Sequence, residues 1–274
     1  MRVGLAGWSL NRRFKAKQLT LLDYPAQVKK EFGLYVIELN SPFFVSTDAA
    51  YLLELKGRIF AAGAVVANIA VDLKEDLSAA DEVLRKRAVA EYAKWFDVAK
   101  AVGSPRIRAF TGGPHEGDFR ADVMDACIRS FGELAALGRL KGVEIVVENH
   151  GGVIARDPDN LVRLMQSDGS GFLGMCTDFG NFPAPVRYDG IEKVARWTKV
   201  CHAKMHEFDA AGNEAHVDVR RAMKAMRDAR FDGDYLIEFE GKSDDHEGVV
   251  KGIELLRRCD AGLLPGSKQE MRKG

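Results

Sequence analysis

Four successive apolar segments in the second half of the chain each carry a carboxylate or imidazole side chain near their C-terminal ends. A carboxylate at such a place is costly to bury without a partner, because the ion loses its hydration. One cation bound by all four side chains would remove this cost, and their oxygen and nitrogen donors suit Mn²⁺, Mg²⁺, Co²⁺ or Zn²⁺. We therefore expect one divalent metal ion, with Mn²⁺ as the first candidate. The predicted ligands are Glu148, Asp178, His202 and Glu238.

The same residues have a simpler explanation, in which the carboxylates form salt bridges at the rim of the fold and His202 is a hydrogen-bonded core histidine. That explanation must account for the same placement on four successive strands, and this shared placement favours the metal. Cys176 lies two residues before Asp178 and shares its strand parity. Its deeper position suits core packing better than ligation, and we expect a core residue.

Further side chains near these strand ends are candidates for proton transfer or substrate binding. His150 lies two residues beyond Glu148 and could act as a general acid or base, or could be a solvated loop histidine. Lys204 shares strand parity with His202, so it could bind a substrate oxygen or form a salt bridge with Glu240. The remaining candidates for substrate binding are Arg108, Glu38 and His115.

Repeated βα units would bring these side chains together. Short apolar segments recur along the chain, and each is followed by a longer segment with apolar residues at helical spacing. Their spacing is close to the roughly 30 residues of a βαβ element, and eight units favour a closed (βα)8 barrel over an open doubly wound sheet. A barrel of this kind builds its site at the C-terminal ends of its strands. The predicted strands are Val3 to Trp8, Tyr35 to Leu39, Ala64 to Val71, Arg106 to Phe110, Val143 to Glu148, Leu173 to Asp178, Val200 to Met205 and Tyr235 to Phe239.

Helical periodicity is clearest in three segments between the predicted strands: Ala80 to Val102, Arg120 to Leu140 and Val217 to Arg230. No shift in composition and no linker rich in Pro, Gly or Ser divides the chain. We therefore predict an α/β protein with a single (βα)8 TIM barrel over residues 1–264, followed by a flexible polar tail over 265–274.

Composition and charge limit the kinds of partner that the protein is expected to bind. The 274 residues include 40 basic and 40 acidic side chains, and a net charge of zero argues against binding to nucleic acid or an anionic membrane. No apolar stretch is long enough for a membrane span, and the first residues do not form a signal peptide. Four widely spaced cysteines predict reduced thiols in a cytoplasmic protein. A homo-oligomer is compatible with the exposed helices of a barrel.

The segments that carry the candidate ligands read Val-Val-Glu148-Asn-His-Gly-Gly, Cys-Thr-Asp178-Phe-Gly-Asn, Cys-His202-Ala-Lys and Tyr-Leu-Ile-Glu238-Phe-Glu-Gly. They resemble the sugar phosphate isomerase/epimerase superfamily, the xylose isomerase-like TIM barrels also called AP endonuclease family 2. The strand-two string Tyr-Val-Ile-Glu38-Leu resembles the same family. The resemblance implies that the family's ligand set falls on the four residues already singled out. It also implies enediolate chemistry on a keto sugar, with Glu148 and Glu238 as ligands that also remove and return the proton.

Departures from the family pattern shape the expected function. The chain lacks the extra histidines of the three-metal endonuclease branch, which argues against DNA repair. Asn181 stands where many epimerases carry a substrate-binding histidine, and the nearest arginine after His202 is Arg220. We expect a metal-dependent isomerase or epimerase acting on a keto sugar or a polyol-derived ketone. The alternatives are a metal-dependent lyase or dehydratase on a 3-keto sugar or keto-glycoside, and a non-catalytic sugar-binding or partner-subunit barrel.

Overall fold

Eight parallel strands close into a barrel in chain order, with the last strand paired to the first, in a computed structural model that describes residues 1–113 and 120–263. This architecture confirms the predicted (βα)8 TIM barrel. The predicted tail 265–274 and the candidate residue His115 lie outside the described residues. The strands are β1 (Arg2–Ala6), β2 (Val36–Asn40), β3 (Val65–Ala70), β4 (Arg106–Ala109), β5 (Glu144–Glu148), β6 (Leu173–Asp178), β7 (Thr198–Met205) and β8 (Asp234–Phe239).

Helices follow the strands and cover the outer face of the barrel. They are α1 (Asn11–Lys15), α2 (Tyr24–Phe32), α3 (Ala49–Ala62), α4 (Glu82–Val102), α5 (Ala121–Lys141), α6 (Pro158–Gln166), α7 (Arg187–Val194), α8 (Val219–Asp228) and α9 (Asp245–Leu263). The α4 helix shows why such segments begin and end where they do. The Asp81 carboxylate accepts the free N–H groups of Val83 and Leu84, and Gly103 ends the helix in a left-handed conformation. Within residues 1–113 and 120–263, no helix is both long and apolar enough to span a membrane.

The predicted first strand is wrong at its end. It was expected to run to Trp8, but β1 stops at Ala6 and a 3₁₀ turn occupies Gly7–Leu10. The backbone turns close to β2 here, since a Cβ on Gly7 would lie 2.7 Å from Asn40 Oδ1. Trp8 therefore belongs to the loop above the barrel and not to the sheet.

A small apolar layer fills the interior of the barrel below its C-terminal mouth. Side chains two residues further along a strand point to the same side of the sheet, so the next layer is the one that faces the mouth. On β2, β5, β6, β7 and β8 this next layer consists of ionisable residues, which therefore lie directly above the apolar layer. The apolar layer is made of Ala6, Val36, Ala67, Val146, Cys176, Val200 and Leu236.

Close packing of α5 against the start of β5 gives a test of the fold. A Cβ on Gly138 would collide with the backbone carbonyl oxygen of Val143, whereas a Cβ on Gly132 of the same helix meets nothing within 4 Å. We expect Gly138→Ala to lower the free energy of unfolding by about 1–3 kcal/mol, because the helix must shift outward. Gly132→Ala should raise it by up to about 1 kcal/mol through helix propensity. Urea denaturation of both variants checks this, and equal effects would contradict the packing described here.

Candidate metal centre

The four predicted ligands meet at the mouth of the barrel. Ligand atoms of Glu148, Asp178, His202 and Glu238 all lie within 4.8 Å of one another, and all four residues are buried. Strand register produces this meeting, because Asp178 of β6 is paired directly with His202 of β7. Carboxylate oxygens and imidazole nitrogen at this spacing could hold one metal ion.

Asp178 has one oxygen held by backbone hydrogen bonds and one that receives no hydrogen bond from the described residues. Its Oδ1 accepts the N–H groups of Gly180 and Asn181 at 2.7 and 2.8 Å. Its Oδ2 is buried without a hydrogen-bond donor among the described residues, although Lys204 Nζ lies 3.5 Å away. Burial and the nearby Glu238 and Glu148 raise the pKa of Asp178 to about 7, although Lys204 opposes them. A cation beside Oδ2 would favour the ionised form.

Glu148 is held by a buried arginine. Its Oε2 lies 2.9 Å from Arg108 Nε, while its Oε1 accepts a hydrogen bond from Asn181 Nδ2 at 3.1 Å. Burial alone would raise the pKa of Glu148, but Arg108 and His202 lower it well below its ordinary value. Arg108 also contacts Asp72 Oδ1 at 2.7 Å. Glu148 is therefore an ionised ligand candidate with a fixed orientation.

Glu238 is held by a buried lysine. Its Oε2 lies 2.6 Å from Lys204 Nζ, and its Oε1 lies 3.6 Å from His202 Nδ1. Burial would raise the pKa of Glu238, but Lys204 and His202 lower it. Lys204 Nζ also lies 3.3 Å from Glu240 Oε2. The salt bridge with Glu240, one of the two roles expected for Lys204 from the sequence, is therefore present.

The two ring nitrogens of His202 face different groups. Nδ1 lies 3.4 Å from Glu148 Oε1, on the side of the ligand cluster, and Nε2 lies 2.9 Å from Glu38 Oε2. Burial lowers the pKa of His202, but the surrounding acidic groups raise it well above its ordinary value. Nδ1 is thus the nitrogen that faces the ligand cluster and would face a cation held there.

The buried charges fit a divalent cation. Among the described residues, four buried carboxylates occupy this region and the permanent cations buried with them are Arg108 and Lys204. With His202 neutral, two negative charges are left without compensation. A divalent ion matches this deficit, and the unpartnered Asp178 Oδ2 supplies an acceptor for it. The carboxylates are Glu38, Glu148, Asp178 and Glu238.

A cavity of about 270 Å³ opens above the cluster. Several predicted site residues line it: Arg108, Glu148, His150, Lys204 and Glu238. Trp8 and Phe110 add apolar wall, and the His150 ring lies 4.5 Å from that of Phe110. His206 lies further out, with 40% of its side chain exposed. The cavity therefore joins an apolar wall to the polar cluster.

Glu38 is the predicted binding residue whose placement differs most from expectation. Its side chain is fully buried and does not line the cavity. The structure brings it against His202 instead, which favours a positioning role over direct contact with a substrate.

Sequence reasoning missed several amides around the site. The Asn149 side chain accepts the backbone N–H of Asp178 and donates to its carbonyl, at 2.7 and 2.8 Å, and so joins the ends of β5 and β6. Asn40 lines the cavity and Asn68 hydrogen-bonds Glu38. The sequence did carry a signal for these residues, because each asparagine lies within or directly after an apolar strand segment, where its side chain is buried.

Comparison with known proteins agrees with this architecture. The family model for the xylose isomerase-like TIM barrel matches residues 26–259, so the chain belongs to this family. This confirms the resemblance seen in the sequence. Among curated proteins, no sequence matches this chain.

Solved structures share the fold at low sequence identity. An L-ribulose 3-epimerase superposes with a TM-score of 0.75 at 14% identity, covering 97% of this chain and 99% of its own. The 3-keto-D-glucoside 4-epimerase from E. coli gives 0.72 at 13% identity, with 94% and 100% covered. A xylose isomerase-like TIM barrel protein from Mycobacterium smegmatis, in complex with magnesium, gives 0.72 at 15% identity, with 96% and 98% covered.

The Arg108–Glu148 pair gives a test of the charge arrangement. We expect Arg108→Gln to lower the free energy of unfolding of the metal-free protein by about 3–5 kcal/mol, because it leaves Glu148 buried and uncompensated. Arg106→Gln is the matched control on the same strand, since Arg106 pairs with the partly exposed Glu144. Its cost should be about 1 kcal/mol. Chemical denaturation of both variants measures the difference, and equal losses would show that Arg108 does not offset buried charge.

Proposed function

We propose that the protein is a divalent-metal-dependent sugar isomerase or epimerase that acts on a keto sugar or a polyol-derived ketone. The observation that carries this proposal is the buried cluster of three carboxylates and one imidazole at the floor of the cavity. The family and the fold shared with an L-ribulose 3-epimerase and a 3-keto-D-glucoside 4-epimerase support it. A small sugar is compatible with a cavity of this size.

A divalent cation held by the cluster would polarise a substrate carbonyl and stabilise the enediolate formed when the neighbouring carbon loses its proton. The chain supplies the proton transfer. Glu148 and Glu238 both line the cavity and reach it from different strands, β5 and β8. One removes the proton and the other returns it to the opposite side of the same carbon, which inverts its configuration. Return of the proton to the former carbonyl carbon, with the hydroxyl proton passed to the other enediolate oxygen, moves the carbonyl instead.

The paired cations keep these two carboxylates ionised and oriented. Arg108 holds one oxygen of Glu148, and Lys204 holds one oxygen of Glu238. The second oxygen of each carboxylate, Glu148 Oε1 or Glu238 Oε1, faces His202 Nδ1 in the ligand cluster. Both cations also line the cavity, where we infer that they contact substrate oxygens. His150 lines the same cavity, where it would bind a hydroxyl or transfer a proton.

Exchange of the substrate proton with solvent tests this mechanism. The Mn²⁺-loaded protein is incubated in D₂O with D-fructose, D-tagatose, L-ribulose or a 3-keto-D-glucoside, and deuterium uptake is measured by NMR. We expect uptake next to the carbonyl of at least one substrate, slower by about 10²–10⁴-fold in Glu148→Gln and Glu238→Gln. The matched control is Glu207→Gln, at a position whose side chain is 67% exposed.

Two results would contradict the proposal. The first is no exchange with any of these sugars by protein that has bound the metal. The second is full exchange in both Gln variants. Product mass separates the reaction types, because an isomer keeps the mass of its substrate, whereas loss of water or an alcohol identifies the lyase alternative.

Several expectations from the sequence stay predictions. They are Mn²⁺ as the cellular metal, a cytoplasmic location, a homo-oligomer, and barrel limits at 1–264 with a flexible tail.

A further inference from the structure

Glu38 is a buried carboxylate that the proposed reaction does not use. It lies on β2, where the pairing with β3 shifts register between Ile37 and Glu38. Beyond the shift, Glu38 is paired with Asn68, and both side chains are fully buried. The extra residue of this shift, Ala67, lies on β3, so the shift brings Asn68 opposite Glu38, which shares its side of β2 with the interior residue Val36.

A single oxygen of Glu38 receives two donors. Its Oε2 accepts a hydrogen bond from Asn68 Nδ2 at 2.7 Å and lies 2.9 Å from His202 Nε2. Glu38 thus connects β2 and β3 with β7, and it lies at a different edge of the imidazole ring from the ligand cluster. No described residue donates a hydrogen bond to its Oε1.

The two nitrogens of His202 therefore have separate surroundings. Nε2 faces Glu38, whereas Nδ1 lies 3.4 and 3.6 Å from the oxygens of Glu148 and Glu238. A neutral imidazole carries a proton on one nitrogen and a lone pair on the other. A carboxylate that accepts from Nε2–H leaves the lone pair on Nδ1, directed at the cluster.

We propose that Glu38 is the positioning residue for His202, holding the ring in the tautomer and rotation that present Nδ1 to the metal ion. Asn68 fixes the Glu38 carboxylate in turn. This inference rests on the proposed metal-dependent function. A carboxylate that orients a metal-binding histidine also makes the ring a better donor, and losing such a partner typically weakens metal binding by about 10–100-fold.

The first test measures divalent metal affinity by calorimetry. We expect Glu38→Gln to bind Zn²⁺ about 10–100-fold more weakly than wild type, because a neutral amide orients the ring less firmly. Glu144→Gln is the matched control, since it also removes one carboxylate, but from a partly exposed position at the start of β5, where Glu144 pairs with Arg106 and Lys199. Its affinity should stay within about twofold of wild type. Wild-type affinity in Glu38→Gln would overturn the inference.

A second test uses the wild-type protein, so it holds even if Glu38→Gln does not fold. The chain contains six histidines, and ¹⁵N NMR resolves their ring nitrogens with and without Zn²⁺. We expect the ring that responds most to zinc to bind it through Nδ1 and to keep its proton on Nε2. In Glu38→Gln the signal of that Nε2 proton should move. Zinc bound through Nε2 overturns the positioning role while leaving the metal site intact.

The experiments separate a failure of the proposed metal-dependent function from a failure of the positioning role of Glu38. If wild-type protein binds no divalent ion by either method, the metal-dependent function fails and the positioning role fails with it. If metal binds and the control behaves as wild type, only the response of Glu38→Gln and the ring signals decides the role of Glu38.

Discussion

Carboxylates outnumber permanent cations inside the mouth of this barrel. Within the described residues, Glu38, Glu148, Asp178 and Glu238 are buried there with Arg108 and Lys204. Unpaired ions are costly in such an environment, because an apolar layer closes the barrel directly below them. The arrangement is stable as a whole only if the remaining negative charge is offset, and one divalent cation would offset it.

The protein holds one oxygen of each candidate carboxylate ligand with a specific donor. Backbone N–H groups after β6 hold one oxygen of Asp178, Arg108 holds one oxygen of Glu148, and Lys204 holds one of Glu238. Side chains that are already oriented lose little conformational entropy when they bind a metal or a substrate. The contacts around the candidate carboxylate ligands therefore fix their orientation in the site.

Sequence patterns predicted the barrel and the cluster because both follow from local rules. The alternation of apolar strands with amphipathic helices predicts the βα units. The side chains near the C-terminal end of each buried strand are the ones expected at the mouth of the barrel. Trp8 was misplaced because a turn at Gly7 ends β1 early. The contact of Glu38 with His202 could not be predicted, since it joins β2 to β7 across the barrel, and the contact of Glu38 with Asn68 depends on the register shift between β2 and β3.

The metal content of the purified protein tests the central claim most directly. Elemental analysis after loading and desalting compares wild type with Asp178→Ala and His202→Ala, and with Cys176→Ala as a buried control on the same strand as Asp178. We predict about one divalent ion per chain in wild type and Cys176→Ala, and a large loss in the other two. A folded wild-type protein that holds no divalent ion after loading would contradict the account, because its buried carboxylates would then be balanced by protons alone.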